Sequence, residues 1–146
     1  DLGAIAISYG NIYVAQIAYG SSMPQTVKAF QEAEAYKGPS LIIAYSHCIA
    51  HGIDMTRGTD TQKEAVECGF WPLYRFNPAR RAEGKNPFEL DSKPPTVDVE
   101  SFLYHQNRFR VLRQSDPARA EALLGAARED VAARLAFYRQ LAGQGS

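Results

Sequence analysis

Cys48 ends the stretch Pro39-Ser40-Leu41-Ile42-Ile43-Ala44-Tyr45-Ser46-His47-Cys48, and His51 and Gly52 follow within four residues. A thiol flanked by two imidazoles admits several chemistries. Buried and unreactive, Cys48 is a small hydrophobe, the ordinary state of a lone cysteine in a cytosolic protein. Paired with His47 or His51, it would become a thiolate nucleophile of the kind a cysteine-dependent hydrolase uses, although no orienting carboxylate or oxyanion hole is identifiable. Together with His51, Cys68 and either His47 or His105, it could hold zinc, although the spacing matches no familiar finger. It could also supply one ligand to an iron–sulfur cluster whose other thiolates lie elsewhere. Residue types and spacing leave all four open, with the inert thiol as the default.

The elements that position Cys48 follow from periodicity. Leu41 to Ala44 is a short Ile-rich run, opened by Pro39 and closed before Gly52, and it reads as a strand buried on both faces. Ile12 to Tyr19 is rich in β-branched and aromatic residues and reads as an earlier strand, after a helical turn over Leu2 to Ser8. Between the two strands, Ser22 is placed to cap a helix with Pro24 in its first turn. Met23, Val27, Phe30 and Ala33 would form its apolar face, and Gly38 and Pro39 would stop it. Strand, helix and strand with short joints predict a βαβ unit with parallel strands, and ligands gather beyond the carboxyl ends of such strands. Cys48 lies there.

Further along, Asp60 to Gly69 predicts a short helix, capped by Asp60 at one end and Gly69 at the other. Leu73 to Phe76, bounded by Pro72 and Pro78, predicts an edge strand. Asn77 to Thr96 reads as an irregular arm. Ser115-Asp116-Pro117 opens a final helix with a stripe at Ala120, Leu124, Ala127, Val131, Leu135 and Tyr138, and Gly125 is a candidate break. Trp71, Tyr74 and Phe76 read as core and arm packing. Arg75, Arg80, Arg81 and Lys85 read as mainly solvated surface able to meet an anionic partner. Arg119, Arg128, Arg134 and Arg139 read as a wet helix face.

With 146 residues, the chain suits one domain with a real core. Its apolar fraction of 45% and charged fraction of 22% are those of an ordinary soluble globular protein, and 16 basic residues balance 16 acidic ones. That balance argues against recruitment by nucleic acid or an anionic membrane. Two cysteines make no secreted disulfide framework, which favours a reducing cytoplasm. The start at Asp1 reads as a cut through something longer, and Gly143 to Ser146 as a frayed tail.

Four strings carry a resemblance. They are Asp1-Leu2-Gly3 with Ser8-Tyr9-Gly10-Asn11-Ile12-Tyr13-Val14-Ala15; Glu32 to Tyr45 leading into Cys48-Ile49-Ala50-His51-Gly52-Ile53; Ala65 to Pro78; and Gly84-Lys85-Asn86-Pro87-Phe88-Glu89-Leu90-Asp91-Ser92-Lys93. In this order they resemble the C-terminal part of the thiamine-diphosphate domain of pyruvate:ferredoxin (flavodoxin) oxidoreductases, over most of residues 1 to 104. The last forty residues match only loosely.

The resemblance implies an α/β fold, a partial thiamine-diphosphate-binding domain with a mostly parallel sheet and a C-terminal helical arm. Residues 1–78 would be its βαβ portion, and residues 79–146 the irregular arm and C-terminal helices of the same domain. It implies a large enzyme that decarboxylates pyruvate on thiamine diphosphate with Mg²⁺, transfers the acetyl group to coenzyme A, and passes electrons through 4Fe-4S clusters to ferredoxin or flavodoxin, as a homodimer. Cys48 would be the fourth ligand of the cluster nearest the thiamine, with His51 and the backbone around Ile49 supplying hydrogen bonds that tune it. Cys68 would be structural. The family's Gly-Asp-Gly segment, its Asn turn for Mg²⁺ and its other cluster cysteines precede the matched stretch. No catalytic, thiamine or substrate residue is therefore assigned in this chain, which is expected to be inert alone and to expose a sheet edge and an apolar patch. The reading from another class is a non-enzymatic interaction module that docks through the arm and last helix, with Cys48 inert.

Overall fold

The computed structural model describes residues 1–143, and the predicted tail lies outside them from residue 144 onward. Its centre is β1 (Tyr13–Ile17), whose five residues are all buried. Before it runs α1 (Leu2–Ser8), whose N-terminus is capped by Asp1 accepting from the Ala4 amide. After it come α2 (Met23–Ala35) and β2 (Ser40–Ala44), which pairs parallel with β1 from Tyr13 opposite Ser40 to Ile17 opposite Ala44. The predicted βαβ unit is present, and Ser22 caps α2 by accepting from the Gln25 amide with Pro24 in the first turn. Gly38 does not close the helix through a left-handed residue. Tyr36 ends it in an extended conformation instead, and its hydroxyl donates to the Asn11 carbonyl at 2.7 Å.

The sheet is mixed, not mostly parallel. β3 (Tyr74–Phe76) lies antiparallel on the other side of β1, and β4 (Phe88–Leu90) antiparallel to β3, giving the order β2-β1-β3-β4. Two bonds set the direction of β3. The Trp71 indole N–H donates to Ile17 O at 3.0 Å, and the Gln16 amide donates to Pro72 O at 2.7 Å. Both fasten the start of β3 to the carboxyl end of β1, so β3 runs back along it. The predicted edge strand is therefore an interior one. Pro72 and Pro78 lie outside the paired residues and remove no ladder donor. The reverse correction applies to β2, predicted to be buried on both faces: it forms one edge of the sheet, with Leu41, Ile42 and Ile43 half-buried and Ser40 and Ala44 exposed. The irregular arm is also more regular than expected, since it holds β4 and a 3₁₀ turn over Pro78–Glu83.

Arg75, expected at the surface, is 4% exposed at the middle of β3. Its Nε and Nη2 donate to the two carboxylate oxygens of Asp91 at 2.9 and 2.8 Å, and Nη1 reaches Glu32 at 2.6 Å and Glu89 at 3.0 Å. Burial alone would lower the guanidinium's pKa, but the bonds and charges of Asp91 and Glu32 outweigh it and hold the pKa above the usual arginine value. Glu32 also accepts from the Tyr13 hydroxyl at 3.1 Å, and Asp91 from the Gln25 amide at 3.0 Å. This network explains the second misreading of α2. With Glu32 held toward the sheet, Thr26 and Ala29 are the buried positions, and Met23, Val27 and Phe30 face outward.

Beyond β2 the chain folds into helices. α3 (Gly58–Glu67) starts two residues before the predicted cap. A 3₁₀ turn at Met55–Arg57, closed by Asp54, runs directly into it, leaving Asp60 in its first turn beside Arg57. Gly69 follows its end at φ +76°, as a C-terminal glycine should. Then come α4 (Val99–Tyr104), α5 (Asn107–Ser115) and α6 (Pro117–Leu141). α6 is capped by Asp116 and runs unbroken through Gly125. An interior glycine costs about 1 kcal/mol, and burial of Ala120, Leu124, Val131, Leu135 and Tyr138 outweighs it. Leu124, Val131 and Leu135 pack with α3 and α4 residues, whereas Tyr138 stacks on Phe88 and lies tilted against Tyr74 of the sheet, so α6 joins the two halves of the core.

Two predictions follow from this packing. Arg75→Met should lower unfolding free energy by about 3–5 kcal/mol, because three carboxylates lose their shared cation; a shift in urea midpoint measures it. The second concerns Asp98, which caps α4 and pairs with Arg128 of α6 at 3.0 Å. The Arg128 hydrogen bond, then the Glu100 amide, hold its carboxyl below the usual range. The stabilisation is present above the unfolded-state pKa of about 3.9 and lost as pH falls through the lower folded value. Asp98→Asn keeps the cap and removes the ion pair. Its melting temperature should fall slightly below the parent's at pH 7, by the equivalent of less than about 1 kcal/mol, and the gap should close in acid.

Candidate functional site

Cys48 lies four residues past the end of β2, at the carboxyl end of the parallel β1/β2 pair, and its side chain is exposed. The inert, buried reading therefore fits Cys68 and not Cys48. Cys68 closes α3 inside the core, its Sγ donating to Ala65 O at 3.5 Å, and burial pushes its thiol pKa up. Cys48 has extended backbone angles and caps a 3₁₀ turn over Ile49–His51, with its carbonyl accepting from the His51 amide at 3.0 Å. Gly52 ends the turn at φ +68°, where a side chain is strained, and a Cβ there would lie 2.5 Å from Asn107 Cβ. The turn thus projects its thiol outward while its far end packs against the start of α5.

Neither neighbouring imidazole is directed at the thiol. His51 Nδ1 lies 2.8 Å from Gln106 Oε1, and Arg108 Nη1 lies 2.9 Å from His51 Nε2. A guanidinium can only donate, so Nε2 accepts and Nδ1 carries the proton it gives to Gln106. His47 Nδ1 meets the Gln62 side-chain amide at 3.4 Å, and its ring covers Gly58, where a Cβ would come within 2.2 Å of Nε2. The residues weighed for zinc are likewise dispersed: His105 pairs with Glu64 at 2.8 Å and Cys68 is in the core. Among the described residues no three His, Cys, Asp or Glu side chains are arranged to hold a metal ion. Gln106 and Arg108, fifty-odd residues away in sequence, are the partners that inspection of the sequence missed. The only signal for them is Gln106-Asn107-Arg108 at the junction of two helices, which periodicity does not single out.

The remaining candidates sort into support and surface. Tyr74 and Phe76 are core residues, and Trp71 packs edge-on against Tyr45 at 5.4 Å, as expected of packing aromatics. Arg80 pairs with Glu89 at 2.6 Å, Arg81 donates to Gly10 O at 2.8 Å and covers Phe76, and Lys85 pairs with Glu83. On α6, Arg119 is exposed, Arg128 binds Asp98 and Glu100, and Arg134 lies over Phe70, with Arg139 half-buried. No helix of the described residues is long and apolar enough to cross a membrane. With one exposed and one buried thiol, a colourimetric thiol reagent should modify Cys48 promptly in the folded protein and Cys68 only after denaturation; simultaneous modification would contradict the arrangement.

No family model matches the chain. Individual proteins do. The chain is 53% identical over 144 residues to a pyruvate-flavodoxin oxidoreductase of Nostoc sp. and 52% identical over 142 residues to a pyruvate:ferredoxin oxidoreductase of Moorella thermoacetica. It is also 51% identical over 144 residues to a probable pyruvate-flavodoxin oxidoreductase of Escherichia coli. These matches cover 97 to 99% of this chain, which spans 12% of the length of the curated relatives it matches.

Proposed function

We propose that this chain is a segment of a pyruvate:ferredoxin or pyruvate:flavodoxin oxidoreductase and that Cys48 is its ligand to a 4Fe-4S cluster. The observation that carries the proposal is about one-half identity along almost the entire chain to proteins bearing those names. In the complete enzyme, pyruvate and coenzyme A would become acetyl-CoA and carbon dioxide, with two electrons leaving singly for the carrier. Thiamine diphosphate and Mg²⁺ would be bound outside this stretch, in the thiamine-diphosphate domain to whose C-terminal part we assign it.

The structure supports a ligand role for Cys48 on three counts. Its thiol is exposed, so it can meet thiolates supplied from elsewhere. It stands beyond the carboxyl ends of the parallel strands, where cofactors of α/β proteins gather. Its backbone turn is held from behind, and no histidine is positioned to use it as a nucleophile. When bound, the cluster would carry single electrons, with its potential set by thiolate ligation, nearby hydrogen bonds and solvent exposure. This chain offers one such thiolate, and Cys68 has neither the exposure nor the ionisation to be another.

The rest of the enzyme would also complete the fold. β2 is an unpaired edge with half-buried Leu41, Ile42 and Ile43, and it carries no charge, proline or bulge of the kind that guards free edges. Met23, Val27 and Phe30 are exposed apolar side chains on α2, which packs against β1 and β2, and Leu2 and Ile5 are exposed on α1, which packs against β1. We assign this edge and its flanking helices as the face against which the remaining domains, and a second subunit, pack. A non-enzymatic module docking through the arm and last helix would need neither this edge nor Cys48.

Cys48→Ser in the complete enzyme separates these readings. Loss of one low-temperature EPR cluster signal, with electron transfer to the carrier falling at least about tenfold, is expected. Unchanged spectra and turnover would reject the ligand role and favour the module.

A further inference from the structure

Resting on the proposed ligand role of Cys48, we infer that Gln106 and Arg108 are positioning residues that set the conformation of the Cys48–Gly52 turn by holding His51 from both ring nitrogens. Three consecutive residues at the junction of α4 and α5 grip this turn. Gln106 is 3% exposed, and its Oε1 accepts the His51 Nδ1 proton at 2.8 Å. The Asn107 amide points at Gly52 O at 3.4 Å, and its Cβ fills the space above Gly52. Arg108 donates to His51 Nε2 at 2.9 Å. A buried polar side chain spent on one partner in this way is costly to leave unpaired, so Gln106 stabilises a single placement of the imidazole. The imidazole is three residues from Cys48 within one 3₁₀ turn, so its placement and the direction of the thiol are coupled through the backbone.

The grip has a chemical consequence. With Nε2 accepting from a guanidinium and Nδ1 donating to an amide oxygen, His51 has no free nitrogen to compete with Cys48 for iron or to act as its base. The guanidinium itself is anchored beside the turn, next to Phe109, whose ring it covers at 5.3 Å. Gln106 and Arg108 thus act on Cys48 through His51, without touching the sulfur.

The test uses the complete enzyme and three variants: Gln106→Leu, Gln106→Glu and Arg108→Met. Two readouts are taken on each: the midpoint potential and g-values of the EPR signal that disappears in Cys48→Ser, and hydrogen exchange of the peptide spanning residues 48–52. Gln106→Leu and Arg108→Met should both shift the potential and alter the g-values, and should speed exchange of that peptide at least about tenfold. Gln106→Glu keeps an acceptor for the Nδ1 proton and should restore slow exchange. Arg108 is at the surface, so its variant serves if Gln106→Leu proves unstable, with a melting curve as control. A folded Arg108→Met with unchanged signal and unchanged exchange would overturn the inference. If Cys48→Ser removes no signal, the ligand role fails on its own, and the exchange readout still decides whether the grip exists.

Discussion

The described structure hangs on one buried cation. Arg75 occupies the middle of β3, and its guanidinium is shared among Asp91 just beyond β4, Glu89 within β4 and Glu32 on α2. The partners come from two distant parts of the chain, α2 and the β4 segment, so a single residue ties the βαβ unit to the antiparallel pair. A charge taken out of water must find partners of opposite sign in good geometry, and a bidentate pair with Asp91 plus two further carboxylates meets that demand. The same demand rotates α2. Glu32 cannot turn outward without abandoning Arg75, so the small residues Thr26 and Ala29 face β1 and the larger apolar ones face away. The helix therefore sits close to the sheet on one side and presents Met23, Val27 and Phe30 on the other.

That frame determines where Cys48 stands. β1 and β2 run parallel and end together, Tyr45 continues the ladder by donating to Ile17 O, and the chain then leaves the sheet through His47 into the Cys48 turn. Two anchors on other elements receive it: Gln62 of α3 meets His47, and Gln106 with Arg108 meets His51. The thiol is consequently exposed on a turn whose flanking histidines are both engaged elsewhere. Such a sulfur is available to something brought to it, in contrast with Cys68, which differs from it only in environment.

Much of this was legible from local patterns, and the failures have identifiable causes. The βαβ unit, the Ser22 cap, the glycine after α3 and the Asp116 start of α6 rest on neighbouring residues, and all are found. The buried stripe of α6 was readable because the helix is long enough for its period to be unmistakable. Where the expectation failed, a distant residue had intervened. Arg75 looked like surface because its three carboxylates lie 14 to 43 positions away. β3 looked like an edge because prolines flank it, but they stand outside the ladder. β4 was hidden in a proline-rich stretch, since a three-residue strand leaves almost no alternation to detect. Gln106 and Arg108 were invisible because nothing local distinguishes a glutamine that will be buried against a histidine from one that faces water.

By itself, the sequence determined many short-range features: the βαβ unit, the caps that start α2 and α6, and that Cys48 falls at the carboxyl end of a parallel strand. Each depends on backbone preferences and side-chain spacing within a few residues. Only the tertiary structure decided the direction of β3, the edge position of β2, the rotation of α2 and the engagement of both histidines away from the thiol. These are matters of which buried polar groups find each other across the chain, because a charge or amide removed from water accepts whichever partner the fold delivers. The choice between an inert and an available thiol belongs with them. Cys48 and Cys68 have the same chemistry, and packing alone places one in the core and leaves the other exposed on its turn.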